Sequence, residues 1–181
     1  MSRVPELAAE ALTPEQIRIQ DEIASARGGH ARGPFAIWLR MPELADAANR
    51  LGNVLRRKSR LEPRVFELMV LIVARSWSAQ YEWHVHEEAA RAAGLPDPVI
   101  EAIRARRRPD FARETERVVY DTVSELLENR ALSEATYARA ESVLGLELLI
   151  ELIAGAGFYT MVAMTLDAFD APVPGGRRPL P

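Results

Sequence analysis

The 181 residues carry 48% hydrophobic and 27% charged side chains, a net charge of −3 and no cysteine. That length buries about two-thirds of the unfolded surface around one core, and the near-neutral balance gives no global electrostatic reason for a nucleic-acid or anionic-membrane partner. Without cysteine there is no disulfide, no thiolate metal ligand and no thiol redox chemistry, and nothing calls for an oxidising compartment.

Met1 to Glu10 holds Glu6 and Glu10 and no uninterrupted apolar run of signal-peptide type, so the expected location is cytoplasmic. Thr13 precedes Pro14 and stands three residues before Gln16, the pattern of a capping box with proline at the first helical position. A helix from Pro14 to Arg27 follows, ended by Gly28 and Gly29. His30 to Leu39 mixes Gly33 and Pro34 with Phe35, Ile37 and Trp38, which reads as a loop anchored by an apolar plug. From Pro42, Leu44, Ala47, Ala48, Leu51, Val54 and Leu55 recur at helical spacing as one stripe. The stripe runs to Arg56, Arg57 and Lys58, charges that suit a helix C-terminus.

Pro63 opens a helix that is apolar nearly all round, through Val65, Phe66, Met69, Val70, Ile72 and Val73, and is expected to be the buried central one. A polar break at Ser76 and Ser78 leads to a helix from Ser78 to Ala93, stopped by Gly94. Asp97 is placed as the cap of a short helix through Ile103, and Arg104 to Pro109 reads as a basic loop. Phe111 to Leu127 is amphipathic, and Ser133 caps the next helix. Leu144 to Leu166 is the most apolar stretch, but Glu147, Glu151 and three glycines make it core helices rather than a membrane span. Gly155 and Gly157 mark a kink or break before a last helix, Phe158 to Phe169. Ala171 to Pro181, with four prolines and two glycines, is expected to be extended, and either docked on a neighbour or mobile.

Nothing alternates like a strand, so the fold class is all-α. Three segments are expected: 1–55 with N-terminal helices and a loop, 56–170 as the main domain, and 171–181 as the tail. The apolar central helices and the 155–169 segment suggest a homo-oligomer.

Residues that could carry chemistry gather in one strip: Glu67, then Tyr81, Glu82, Trp83, His84 and His86. Glu82 and His86 are four apart, hence one turn apart on one helix face. A carboxylate there can hold one imidazole nitrogen and leave the other as a general base. Glu67, on a nearly all-apolar helix, needs a partner, and His86 is the candidate. The same residue types at helical spacing also form ordinary structural pairs with no catalytic part. His84 points about 160° away from His86 around a helix, so it is read as surface or interface, and no metal site is expected.

The run Glu67-Leu68, Leu71, Val73-Ala74, then Tyr81-Glu82-Trp83, His86, Ala89-Ala90, Gly94-Leu95, Ile100 and Ile103, resembles the core of the carboxymuconolactone decarboxylase and AhpD-like superfamily. Pro109, Phe111, Val119-Tyr120 and the ending Glu147-Leu148, Glu151-Leu152, Gly157-Phe158-Tyr159 and Met161 resemble its cysteine-free decarboxylase branch. The likeness spans about Arg56 to Pro174.

The resemblance implies an AhpD-like helical bundle that assembles as a dimer, trimer or hexamer. It also implies, for the peroxidase branch, a relay of one glutamate, a C-x-x-C pair and one histidine. Glu67 and His86 match; Ala79 and Glu82 stand where the two cysteines would be. A thiolate is needed to attack a peroxide by that route, so peroxidase activity inherited by family is disfavoured. The decarboxylase branch implies no metal and no cofactor. The expectation is therefore an acid/base lyase acting on a small carboxylated or lactone substrate, with His86, Glu82 and Glu67 as catalytic residues. Tyr81, Trp83 and Arg75 are the expected substrate contacts, Arg75 as the cation for a substrate carboxylate. A non-thiol binding or structural oligomer on the same scaffold is the alternative.

Overall fold

The computed structural model describes residues 2–5, 7–27 and 31–181. Gly28, Gly29 and His30, expected to end the first helix and begin the loop, lie outside the described residues. After a 3-10 turn at Ala9–Ala11 come α1 (Pro14–Arg27), α2 (Pro34–Trp38), α3 (Pro42–Arg57), α4 (Pro63–Trp77), α5 (Gln80–Ala92), α6 (Asp97–Arg104), α7 (Glu114–Asn129), α8 (Glu134–Leu144) and α9 (Leu146–Ala168). Among the described residues there is no strand, so the fold is all-α.

α4 is the axis of the molecule, with α5, α7 and α9 packed around it. Every residue from Val65 to Arg75 is buried, as an all-round apolar helix requires. α9 is long and apolar enough to cross a membrane by length and composition, but Leu149, Leu152, Ala156, Val162 and Leu166 are buried in the same core as α4. The expected break at Gly155 does not occur: α9 runs through both glycines. Gly155 is instead a point of close approach, because a Cβ there would lie 2.8 Å from Cε of Met69 on α4.

The capping box at α1 forms in both directions: Gln16 N–H donates to Thr13 Oγ1 at 3.2 Å, and Thr13 N–H to Gln16 Oε1 at 2.9 Å. Ser133 caps α8 through Thr136 N–H. Asp97 does not cap α6; Pro96 holds that position and Asp97 is the first helical residue, where its charge favours the positive helix end and pairs with Arg91. The segment read as a loop contains the short helix α2, whose Pro34, Phe35 and Trp38 are buried.

α3 forms where expected, but its inward face is rotated around the helix from the expected stripe and shares only Ala48 and Leu55 with it. Ala45, Ala48, Asn49, Gly52 and Leu55 are buried, while Leu44, Leu51 and Val54 are exposed. The small residues let α3 sit close against its neighbours, and that contact leaves the larger aliphatic side chains outside.

The tail docks on its own chain. Leu180 is buried, its backbone exchanging two hydrogen bonds with the Gln80 side chain at 3.0 and 3.1 Å, and Arg104 donates to Pro179 O. Leu180 belongs to the core cluster that also holds Ile19 and the buried face of α9.

Candidate active site

The site is set by the reversal between α4 and α5. Ser78 adopts a left-handed conformation (φ 56°), its N–H donates to Arg75 O at 3.1 Å, and Ala79 N–H donates to Ala74 O at 2.8 Å. These bonds satisfy the last carbonyls of α4 and fold α5 back antiparallel. Glu67 and His86, nineteen positions apart, thereby face each other across the hairpin.

Nδ1 of His86 lies 2.7 Å from Oε2 of Glu67, with both residues buried. The other Glu67 oxygen lies 3.9 Å from the Arg56 guanidinium at the end of α3. The imidazole stands edge-on to Tyr159 of α9 (centroids 5.1 Å, planes 87° apart), and Tyr159 is itself held edge-on by Phe66 and Phe158. The ring is thus fixed by one carboxylate and one aromatic wall. An ionised Glu67 accepts the Nδ1 proton, which leaves the lone pair on Nε2.

Glu82 does not orient His86, because Glu67 takes Nδ1 from the facing helix. Glu82 is 1% exposed, and neither carboxyl oxygen has a hydrogen-bond partner among the described residues. Burial pushes this carboxyl well above the usual range, and the neighbouring Asp167 on α9 adds to the rise.

A broad groove of about 950 Å³ runs over the hairpin. Tyr81, Glu82, Val85 and His86 of α5 border it with Phe158 and Tyr159 of α9, and Arg32, Arg56 and Arg57 supply its positive charge. Tyr81 is half-buried, and its burial raises the phenol above its ordinary range. Gly33 packs on it: a Cβ there would sit 2.8 Å from the Tyr81 ring, and φ is +57°, so only glycine fits. His84, read as surface or interface, is half-buried at the groove's edge.

Two expected substrate contacts lie elsewhere. Trp83 is fully buried on the far side of α5, where Nε1 donates to Glu87 at 2.9 Å and Arg104 lies over the ring at 5.2 Å. Arg75 donates to Arg104 O at 2.7 Å and to Ser78 Oγ at 3.0 Å, so it closes the C-terminus of α6 and the hairpin turn instead of facing the groove. The cations that do face it come from α3 and the segment before α2. Their signal in the sequence, the run Arg56 to Lys58, is indistinguishable from ordinary helix-end charge. Among the described residues no three His, Asp or Glu side chains gather as a metal-holding group.

The profile of the carboxymuconolactone decarboxylase family matches residues 42–123, which span α3 to α7 and hence Glu67, Glu82, His86, Arg56 and Arg57. No curated protein sequence matches the chain significantly. Among solved structures, a peroxidase-related protein of the AhpD core type from Ralstonia eutropha JMP134 superposes with a TM-score of 0.79 at 15% identity, over 96% of this chain and 93% of that one. A peroxidase-related protein from Silicibacter sp. TM1040 gives 0.76 at 18% identity, over 94% and 90%. A cysteine-to-alanine variant of the debrominase Bmp8, in complex with 2,3,4-tribromopyrrole, gives 0.77 at 15% identity, over 99% and 96%. At such identities the likeness establishes the AhpD-like helical fold.

Proposed function

We infer, from a chain that carries a carboxymuconolactone decarboxylase family domain over residues 42–123, that the groove binds a small carboxylated substrate, a lactone or aromatic-type acid, and carries out acid/base lyase chemistry on it. The observation that carries this reading is the 2.7 Å contact between His86 and Glu67 at the wall of a groove lined with arginines. Glu67 holds the imidazole in one tautomer through Nδ1, so Nε2 can take up and return a proton. Arg56, Arg57 and Arg32 supply the positive field that attracts and orients a carboxylate. Decarboxylation breaks the bond to the carboxyl carbon and leaves its electron pair in a conjugated anion, which needs a donor and then a proton.

A groove of this size favours a small-molecule role over a purely structural one. Dithiol-coupled peroxide reduction lacks its sulfur: the chain has no cysteine. The test is a thermal-shift screen of small aromatic and lactone acids, followed by carbon dioxide release assays on the ligands found. A native-state ligand raises the melting temperature. If no carboxylate shifts it while neutral analogues do, the acid-binding reading is wrong.

A further inference from the structure

The least explained group in the groove is Glu82. Its carboxyl is buried, borders the groove within one helical turn of His86, and makes no hydrogen bond among the described residues. A buried ionised carboxylate without a partner is too costly to persist; a buried neutral acid with an unused O–H is tolerable, and is still a hydrogen-bond donor waiting for an acceptor. The charges around it fit the neutral form: Asp167 on α9 opposes ionisation, and Glu67, the acid on the facing helix α4, is already engaged by His86. Neither Glu82 oxygen takes a hydrogen bond from the groove's cations among the described residues.

We propose that Glu82 is a neutral carboxylic acid that donates its proton to a carbonyl oxygen of the substrate, so that the groove selects acids bearing a carbonyl or enol oxygen beside the carboxylated carbon. The proposal rests on the acid/base reading of the groove and deepens it. In the step it describes, the bond between the carboxylate and its carbon breaks, the electron pair moves into the adjacent carbonyl, and carbon dioxide leaves. The Glu82 proton passes to the resulting enolate oxygen and gives an enol. Protonated His86 then delivers a proton to carbon while the enol O–H returns its proton to Glu82, and His86 is reprotonated from solvent. One proton is consumed for each carbon dioxide released. The site's apolar walls drive the return, because they penalise the Glu82 carboxylate left after the first transfer.

Salicylate and benzoate separate the two levels of the claim. Both are planar carboxylates, and only salicylate carries an enol-type oxygen on the neighbouring carbon. Calorimetry on the wild-type protein is expected to give salicylate roughly ten-fold tighter binding than benzoate, since a site with a buried donor discriminates against a ligand that leaves it unpaired. Glu82→Ala should erase the preference, Glu82→Gln, which keeps a neutral donor, should retain most of it, and Arg56→Ala should weaken both acids alike. The difference infrared spectrum between wild type and Glu82→Gln at neutral pH should contain a protonated-carboxyl band. Equal binding of the two acids, a preference that survives Glu82→Ala, or absence of that band would overturn the Glu82 proposal and leave the acid-binding reading intact. If neither acid binds at millimolar concentration, both readings fall.

Discussion

His86 and Glu67 meet at 2.7 Å inside the α4–α5 hairpin, each buried, with the Tyr159 ring perpendicular to the imidazole at 5.1 Å between centroids. Replacing His86 with alanine strands Glu67 beside only a distant Arg56. The expected cost is about 1–3 kcal/mol of stability, together with loss of turnover on any substrate the wild type accepts. His86→Ala combined with Glu67→Leu should cost less than the two single changes added together, because the second change removes the stranded charge. Chemical denaturation of the four proteins tests this; additive losses would mean that the two residues are not coupled.

Glu82 sets a pH slope. Its folded carboxyl titrates well above the ordinary 4.5, with burial the main cause. The unfolded chain releases the proton near 4.5 while the folded chain keeps it, so stability falls as pH rises from there toward the folded value and then levels off. Glu82→Gln has no such proton to lose. Its melting temperature relative to wild type should therefore climb across that window and stay flat below it. Parallel melting curves at all pH values would mean that the carboxyl ionises normally.

Gly155 and Gly157 occupy the same helix and differ in what surrounds them. A Cβ at Gly157 meets nothing within 4 Å, so Gly157→Ala should stabilise α9 by about 0.5–1 kcal/mol through helix propensity. At Gly155 the same gain is opposed by the Met69 terminal methyl at 2.8 Å, and the net effect should be near zero or unfavourable. Thermal melts of the two variants should rank in that order.

Removing residues 172–181 should lower stability by about 2–3 kcal/mol, the burial of Leu180 plus the lost Gln80 bonds. Gln80→Ala alone should lose about 1 kcal/mol. A truncated chain as stable as the full one would mean that the tail's docking contributes nothing.

Self-association is expected as well. α9 leaves Leu146, Ile150 and Met164 exposed, and α3 leaves Leu44, Leu51 and Val54 exposed; aliphatic surface of this extent suits a contact between copies. Sedimentation at micromolar concentration should show a homo-oligomer, and Ile150→Glu should shift it toward the monomer. A monomeric wild type would contradict this.

Periodicity, caps and glycine or proline punctuation are local properties, and they located α4, the α1 capping box, the Ser133 cap and the α5 strip without reference to the rest of the chain. Pairing Glu67 with His86 was also legible, because an acid on an all-apolar helix must find a partner and few candidates existed. The direction in which α3 faces was only partly legible: Ala48 and Leu55 of the expected stripe are buried, but packing against the neighbouring helices turns Ala45, Asn49 and Gly52 inward in place of Leu44, Leu51 and Val54. Gly155 could not be told from a helix break, since the methyl of Met69 that occupies its Cβ space comes from a helix 86 residues earlier in the chain. Arg56 and Arg57 as groove cations, Arg75 and Trp83 as structural contacts, and the isolation of Glu82 depend on which helices converge. Hydrogen bonding and desolvation act over a few ångströms in space, and the sequence lists neighbours only along the chain.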